Sequence, residues 1–306
     1  MLVLKRQSTP DPSLPTVNRS PQTKSTALNF LPSSMYDRAV TVTGASAGLG
    51  LAIAKAFLES GHHVVGVGRD EASLTEIANQ FAAAGISKSS TRFIPMAADV
   101  SDRDSVYALF QRIGTEVGRI DVLVNCVGQS DRGTTASLSS GRLAELMTAN
   151  VTTALLCAQA ALPLLKQSRG VVVNIGSLAS KVGARHLGGY PAAKHALAGL
   201  TQQMRLEWCE YGIHVALVSP GPIRREDAGL RYQDHIQDSE LPASASRPGG
   251  GTSLKGLEPS WVAAQVLRCV ERRSPDVILP RYARTMIVLG HISPRLGDWL
   301  LLWMTK

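Results

Sequence analysis

From residue 38 onwards, short β-branched runs alternate with stretches of helical composition, and this alternation restricts the possible folds more than any other feature. Neighbouring parallel strands need a crossover connection, which is usually a helix. Regular alternation therefore predicts one parallel sheet covered by helices on both faces. The pattern predicts seven strands, at residues 39–43, 63–67, 92–96, 120–125, 170–175, 213–218 and 276–279.

The intervening stretches predict the crossover helices of a doubly wound α/β fold. A chain of 306 residues with 44% hydrophobic content can bury one sizeable core, so we expect a single Rossmann-like domain over residues 36–280. Ligands of such sheets bind outside the carboxyl ends of the strands. The predicted helices are residues 48–60, 71–84, 102–117, 139–167, 189–210 and 258–273.

Three segments lie outside this regular pattern. Residues 1–35 are rich in Pro, Ser and Thr, and we expect a disordered tail. Residues 223–256 follow the sixth strand, a segment that commonly covers the substrate in this fold, so they are a candidate substrate lid. Their glycine-rich half, residues 241–256, equally fits a mobile surface insertion without function. Residues 281–306 form an apolar C-terminal extension that is too interrupted to span a membrane. This extension fits an interfacial helix at a membrane, but it also fits packing on its own domain or a partner subunit.

Charge and cysteine usage exclude several classes of protein. The net charge of +8 is spread along the chain without a basic run interleaved with aromatics, so we expect no nucleic-acid partner. The cysteines are widely spaced, with no C-x-x-C pair and no His/Cys cluster. We therefore expect reduced thiols in the cytoplasm and no metal site. The four cysteines are Cys126, Cys157, Cys209 and Cys269.

Residues 43–50 (TGASAGLG) form a glycine-rich turn between the first predicted strand and the first predicted helix. Gly44, Gly48 and Gly50 let the backbone turn tightly and approach a pyrophosphate, which the N–H groups of the helix N-terminus can bind. The spacing is G-x-x-x-G-x-G, which differs from the G-x-G-x-x-G fingerprint. By itself, the turn indicates a phosphate site without identifying the ligand.

Tyr190 and Lys194 are four residues apart in a predicted helix, and Ser177 lies thirteen residues before Tyr190. Residues four apart share one helix face, so the ammonium group of Lys194 favours the ionised form of the phenol. A phenol with a pKa near ~10 is otherwise a poor base at neutral pH. The three side chains predict a proton-transfer site, although the pair alone also fits an ordinary helical contact.

Together, the T-G-x-x-x-G-x-G turn and the Y-x-x-x-K pair make residues 38–280 resemble the short-chain dehydrogenase/reductase family. Further matching pieces occur in the family's order: Asp99 after the third strand, residues 125–128 (NCVG) after the fourth, and Asn150 in the next helix. The resemblance implies a catalytic tetrad. Its members are Ser177, Tyr190, Lys194 and Asn150.

The resemblance also assigns roles. Tyr190 would exchange a proton with the substrate oxygen, which Ser177 would orient. Lys194 would bind the nicotinamide ribose, and Asn150 would hold a water in a proton relay. The implied dinucleotide-binding residues are Gly44, Ser46, Ala47, Gly48, Leu49, Gly50, Arg69, Asp99, Val100, Asn125, Gly128, Tyr190, Lys194, Pro220, Gly221 and Ile223.

The residue after the second strand indicates which dinucleotide binds. An acidic residue there would accept hydrogen bonds from the ribose hydroxyls, whereas Arg69 can pair with a 2′-phosphate. We therefore expect NADP(H) in preference to NAD(H), with Asp70 acting as the cap of the following helix. The chain departs from the family at residues 224–225, where two arginines replace the usual Thr, and at Gly176, Gly188 and Gly189, which predict open space near the site.

These observations predict a cytoplasmic, homo-oligomeric oxidoreductase that acts on a small molecule. The expected reaction is NADP(H)-dependent reduction of an apolar ketone, with peripheral membrane association through residues 281–306 left open. Two alternatives remain: an NAD-dependent alcohol dehydrogenase, and a protein that senses NADP(H) without turnover.

Overall fold

The computed structural model describes residues 38–87, 91–225 and 241–304 and contains one sheet of seven parallel strands. The strand order is β3-β2-β1-β4-β5-β6-β7, which confirms the predicted doubly wound α/β fold. The predicted tail at 1–35 and residues 226–240 of the predicted lid lie outside the described residues. The strands are β1 (Ala39–Thr43), β2 (His63–Gly68), β3 (Phe93–Ala97), β4 (Val122–Asn125), β5 (Val171–Ile175), β6 (His214–Pro220) and β7 (Asp276–Leu279).

The crossover helices also match the prediction, with ends that differ by at most two residues. Side-chain caps define where helices begin. Asp70 accepts a hydrogen bond from Ala72 N at the start of the second helix, and Asp102 accepts one from Ser105 N at the start of the third. In the described residues, the helices are α1 (Gly48–Glu59), α2 (Glu71–Ala83), α3 (Arg103–Glu116), α4 (Ser140–Met147), α5 (Thr153–Ser168), α6 (Tyr190–Trp208), α7 (Pro259–Arg272), α8 (Ala283–Ile292) and α9 (Pro294–Met304).

The core has one apolar layer on each face of the sheet. Alternate residues of a strand point to opposite faces, so Val40 and Val42 of β1 pack towards α1, α2 and α7. On the other face, β2, β4 and β5 pack against α3, α5 and α6, with Trp208 closing the layer. The near-continuous valine runs of the strands reflect burial on both sides.

A π-helical turn, Thr148–Thr152, joins α4 to α5. The combined helix, Ser140–Ser168, is the one helical segment of the described chain that is long and apolar enough to cross a membrane by length and composition. In this fold, α5 packs against α3, β4 and β5, and Cys157, Ala158 and Ala161 are buried. The apolar character of α5 thus serves the core of the domain.

The sheet grows in two directions from its centre. The chain builds β1, β2 and β3 towards one edge and then returns, so β4 pairs with the other side of β1. The crevice outside the carboxyl ends of β1 and β4 is the topological switch point of the fold. The C-terminal extension continues from β7 as α8 and α9, which cross closely at Gly290 and Gly297.

Candidate active site

A cleft of about 1480 Å³ lies at the carboxyl edge of the sheet and extends from the glycine turn to α9. Such a volume exceeds the roughly 300–1,000 Å³ of a typical small-molecule pocket, so the cleft has room for a dinucleotide and a substrate. The structure brings every predicted site residue to this cleft except Asn125. Those residues are Gly44, Ser46, Ala47, Gly48, Leu49, Gly50, Arg69, Asp99, Val100, Gly128, Asn150, Ser177, Tyr190, Lys194, Pro220, Gly221 and Ile223.

The glycine turn is shaped so that its backbone faces the cleft. Gly44 and Gly48 have φ values of +72° and +56°, which residues with a Cβ atom rarely adopt. A Cβ on Gly50 would overlap the carbonyl oxygen of Gly44, so only glycine permits this crossing. The N-cap of α1, Ala47, supplies no side-chain hydrogen bond, which leaves the helix N-terminus to an external anion. The turn fits a dinucleotide pyrophosphate.

Tyr190 and Lys194 lie in the first two turns of α6, and Ser177 lies where the chain leaves β5. Lys194 Nζ is 5.8 Å from the centre of the Tyr190 ring. Ser177 is half-buried, and its Oγ accepts a hydrogen bond from Ala179 N at 3.2 Å. This bond begins a short 3₁₀ turn, Leu178–Ser180, and leaves the hydroxyl hydrogen of Ser177 available to a ligand.

Lys194 is the most deeply buried cation of the site. Its ammonium group donates to the carbonyl oxygen of Ile175 at 2.9 Å, and only 4% of the residue is exposed. Burial disfavours the charged form and lowers the pKa of Lys194 to about 8. Burial also raises the pKa of the neighbouring Cys126 thiol to about 12, which keeps that thiol neutral.

Asn150 lies within the π turn and is fully buried. Its amide nitrogen donates to the carbonyl oxygens of Gln129 and Leu146, each at 2.9 Å, and its oxygen accepts from Gln129 N. Both amide hydrogens are therefore committed to the backbone. The side chain fixes the loop after β4 beside Lys194, because a Cβ on Gly128 would lie within 3.2 Å of both side chains.

Asn125 does not line the cleft; it holds the sheet together below it. Its amide nitrogen donates to Asn174 Oδ1 at 2.9 Å, and Asn174 in turn donates to Thr201 Oγ1 at 2.9 Å. This buried chain joins β4, β5 and α6, the helix that carries Tyr190 and Lys194. The sequence alone did not identify Asn174 or Thr201, because a single polar residue within a strand or helix forms no distinctive local pattern.

The adenosine edge of the cleft contains Arg69 and two carboxylates. Asp70 caps α2 as predicted, since its carboxylate accepts from Ala72 N and from Ser73 Oγ. Asp99 remains exposed at the cleft, and hydrogen bonds from Ser101 lower its pKa. The cap of α3 is Asp102, so neither Asp99 nor Ser101 is used for that purpose. Arg69 is exposed at the end of β2, where no carboxylate in the described residues forms an ion pair with it.

The segment 241–256 borders the cleft and is held by a buried arginine that the sequence reasoning missed. Arg132 donates to the carbonyl oxygens of Ala245 and Arg247 across the cleft mouth. The one feature of the sequence that could have indicated this role is the position of Arg132 in the loop after β4. The two arginines at 224–225 both line the cleft, and Arg224 forms an ion pair with Glu258. The lid function of residues 223–256 remains a prediction.

The expected open space at three glycines is absent. A Cβ on Gly176 would lie 2.8 Å from Ser180 Oγ, and one on Gly188 would overlap the carboxylate of Asp131. Gly189 is equally confined by leucine side chains. Neighbouring side chains occupy the space beside these glycines. The glycines therefore permit close packing of the segment between β5 and α6 and leave no open space at the site.

The inner face of the C-terminal extension forms an apolar wall of the cleft. The sequence predicted an apolar extension but not this position, since nothing local indicates where two short helices dock. The wall comprises Ala283, Met286, Ile287, Gly290, Gly297, Leu300, Leu301 and Met304.

A glycine turn at the switch point, facing a Tyr–Lys pair on α6, defines a dinucleotide-dependent oxidoreductase. The family model described as short chain dehydrogenase matches residues 38–233. An oxidoreductase, BOA17, from Botryotinia fuckeliana is 30% identical over 78% of this chain and 86% of its own length. The ketoacyl reductase HetN from Nostoc sp. is 29% identical over 88% of this chain and 90% of its own.

Solved structures agree with the sequence comparisons. An actinorhodin polyketide ketoreductase with NADPH has a TM-score of 0.68 and 25% identity, covering 79% of this chain and 95% of that one. A short-chain dehydrogenase from Streptomyces avermitilis has a TM-score of 0.70 and 26% identity, covering 88% and 98%. The chain belongs to the short-chain dehydrogenase/reductase family and is an oxidoreductase that uses a nicotinamide cofactor and a small-molecule substrate.

Proposed function

We propose that this enzyme reduces the carbonyl group of an apolar compound with NADPH. The observation that carries the proposal is the composition of one cleft: Tyr190, Ser177 and Lys194 share it with the glycine turn and with the apolar wall of α8 and α9. A proton donor, a dinucleotide cradle and an apolar substrate wall are the parts that this reaction needs.

The bound reduced nicotinamide supplies the hydride. Tyr190 donates a proton to the substrate oxygen, and Ser177 donates a hydrogen bond to the same oxygen as negative charge develops on it. Ser177 is suited to this role because Ala179 N donates to its Oγ, and that bond does not use the hydroxyl hydrogen.

Lys194 contributes positive charge beside Tyr190 and binds the nicotinamide ribose. Its position is fixed by the hydrogen bond to Ile175, and its pKa of about 8 keeps it mostly protonated at pH 7. Asn150 is assigned a positioning role, since both amide hydrogens are used by the backbone. A relay water at Asn150 would have to donate a hydrogen bond to an oxygen atom of this residue, because the amide nitrogen has no hydrogen left to donate.

The preference for NADP(H) rests on the adenosine edge. Asp70 is engaged as a helix cap, so Arg69 is the charged side chain at the end of β2 that is available to a 2′-phosphate. Asp99 accepts from Ser101 and retains acceptor capacity for the adenine amino group. The NADPH in the actinorhodin ketoreductase structure supports the same choice.

The apolar character of the substrate rests on the C-terminal wall. The eight residues that α8 and α9 contribute to the cleft carry no ionisable side chain. A polar substrate placed against this wall would lose hydration without replacement hydrogen bonds. Ketoacyl reductases among the relatives support the carbonyl chemistry.

NADPH oxidation across a panel of ketones tests the proposal. The panel should grade apolar size, from ketosteroids, retinoid aldehydes and sphingoid ketones to 3-oxoacyl thioesters and simple sugars. We expect turnover that increases with apolar size and exceeds turnover with NADH. Tight NADPH binding without turnover on the whole panel would indicate a sensor, and faster alcohol oxidation with NAD would indicate the alcohol dehydrogenase.

A further inference from the structure

The hairpin formed by α8 and α9 has a second face that the cleft does not use. Large apolar side chains are exposed along it, including Ile292 at 77%, Trp299 at 61% and Trp303 at 62%. In α9, Trp299 and Trp303 are four residues apart, so they share one side of the helix. The exposed apolar residues of this outer face are Tyr282, Val288, Leu289, Ile292, Leu296, Trp299, Leu302 and Trp303.

This concentration is local. Elsewhere in the described chain, the large exposed hydrophobics are only Tyr107, Leu206, Tyr211 and Trp261, which lie on separate helices or turns. Eight such residues within 282–303 form a patch of the kind that marks an interaction site. The inner residues of the same helices line the cleft, whereas the residues of this outer face are exposed to solvent.

Charge around the patch indicates the chemistry of that partner. Arg281, Arg284 and Arg295 are exposed, and Asp298 is the one acidic residue of the hairpin. Arg284 precedes Val288 by four residues and Arg295 precedes Trp299 by four, so each arginine lies beside the patch. A long basic side chain can rest its methylenes on apolar surface and extend its head to an anion.

Tryptophan and leucine side chains flanked by arginines fit the boundary between lipid headgroups and acyl chains. In a two-fold contact, the patch of one copy would face the same patch of a second copy. The arginines of the two copies would then lie close together and repel each other, which disfavours such a contact. An anionic lipid surface is complementary to both the apolar and the charged parts. The helices have 10 and 11 residues, whereas a spanning helix needs about 20.

We propose that the outer face of α8 and α9 docks peripherally on an anionic lipid bilayer. Tyr282, Trp299 and Trp303 enter the headgroup boundary, and the three arginines contact lipid phosphates and carboxylates. The inner face of the same hairpin lines the cleft, so docking brings the cleft close to the lipid surface. Access of an apolar substrate from that surface is a consequence that, unlike docking, rests on the proposed function.

Flotation of the full chain with vesicles tests docking without any assay of catalysis. We expect binding to vesicles of phosphatidylcholine with phosphatidylserine, weaker binding to phosphatidylcholine alone, and release by salt. Trp299→Ser with Trp303→Ser should lose binding. The control Trp261→Ser removes an exposed tryptophan from α7 and should bind as the parent does.

A second variant separates charge from apolar contact. Replacing Arg281, Arg284 and Arg295 by Gln should reduce partition onto the anionic vesicles roughly 100-fold. Thermal unfolding and dinucleotide binding establish that each variant is folded. Absence of binding by the parent chain to either vesicle overturns the proposal, as does equal loss in the Trp261 control.

The oligomeric state identifies the competing occupant. If the parent chain forms an oligomer that the Trp299 and Trp303 substitutions dissociate, and neither protein binds vesicles, the patch is an interface between copies and the docking proposal is wrong. If the substitutions abolish vesicle binding and leave the oligomeric state unchanged, the patch is a lipid-docking surface. Because neither readout involves turnover, failure here leaves the proposed reaction intact.

Discussion

Lys194 donates a hydrogen bond to the carbonyl oxygen of Ile175, 2.9 Å away, and this bond joins the helix that carries Tyr190 to the end of β5. The ammonium group is thereby fixed in a buried position that costs stability. Burial lowers the pKa of Lys194 from 10.5 to about 8, so the charged form is disfavoured by the fold. The site retains this cation for its chemistry.

Lys194→Met should therefore stabilise the dinucleotide-free enzyme at pH 7. The pKa shift corresponds to roughly 3 kcal/mol, and loss of the hydrogen bond to Ile175 offsets about 1 kcal/mol, which leaves a gain of about 2 kcal/mol. Denaturant unfolding of both proteins measures the difference. At pH 7 the amine is protonated in the folded and the unfolded states, so the cost of burying its charge is fully present.

The pH dependence of that difference in stability tests its physical cause. Above about pH 8 the folded amine loses its proton, and near pH 10.5 the unfolded amine does the same. Between these values, the unfolded state binds more protons, so wild-type stability rises relative to Lys194→Met. A difference that stays constant from pH 7 to 10 would show that desolvation of Lys194 is not its source.

Arg69→Ser should weaken NADPH binding and leave NADH binding nearly unchanged. A charge-assisted pair with the 2′-phosphate predicts a loss of roughly 10- to 100-fold in affinity for NADPH. Dissociation constants by fluorescence titration measure both ligands. Arg103→Ser is the matched control, since Arg103 is also exposed but lies over Tyr107 outside the cleft. If the substitution weakens NADH binding to the same extent, Arg69 does not pair with the 2′-phosphate.

Arg132→Met should release residues 241–256 from the cleft mouth. The substitution leaves the carbonyl oxygens of Ala245 and Arg247 without this donor and should lower the free energy of unfolding by about 2 kcal/mol. Trypsin should cleave faster after the exposed Lys255. As the control, Arg112→Met removes an exposed ion pair and should change stability little. Unchanged proteolysis at Lys255 would show that Arg132 does not hold the segment.

Leu300→Asp should impair reduction of apolar ketones. Leu300 lines the cleft, and a carboxylate there would be desolvated by substrate, so we expect kcat/KM to fall at least about tenfold. Leu302→Asp places the same charge two residues away on the exposed outer face and should leave soluble-substrate kinetics unchanged. If both variants lose activity equally, the apolar wall does not contact substrate.

Regular patterns made the sheet and its helices predictable. The β-branched runs and the glycine turn specify local conformation, and the Tyr190–Lys194 spacing places both side chains on one face of α6. The long-range parts were not predictable, because they depend on contacts between distant residues. The bonds from Arg132 to residues 245 and 247 and the path from Asn125 through Asn174 to Thr201 have no local signature.

The expectation of open space near the site failed for a related reason. Small residues at Gly176 and Gly188 indicated space, but space depends on which neighbours occupy it, and Ser180 and Asp131 do.

The proposed hydride transfer can be followed by the transfer of deuterium from 4-deuterated NADPH to an apolar ketone. We predict that the wild-type enzyme places the label on one face of the carbonyl carbon. Tyr190→Phe should bind NADPH nearly as tightly as the wild type but transfer no label, because the proton donor to the substrate oxygen is gone. Label transfer by Tyr190→Phe at the wild-type rate would show that Tyr190 is not the proton donor, and no transfer by the wild type to any ketone of the panel would contradict the proposed reduction.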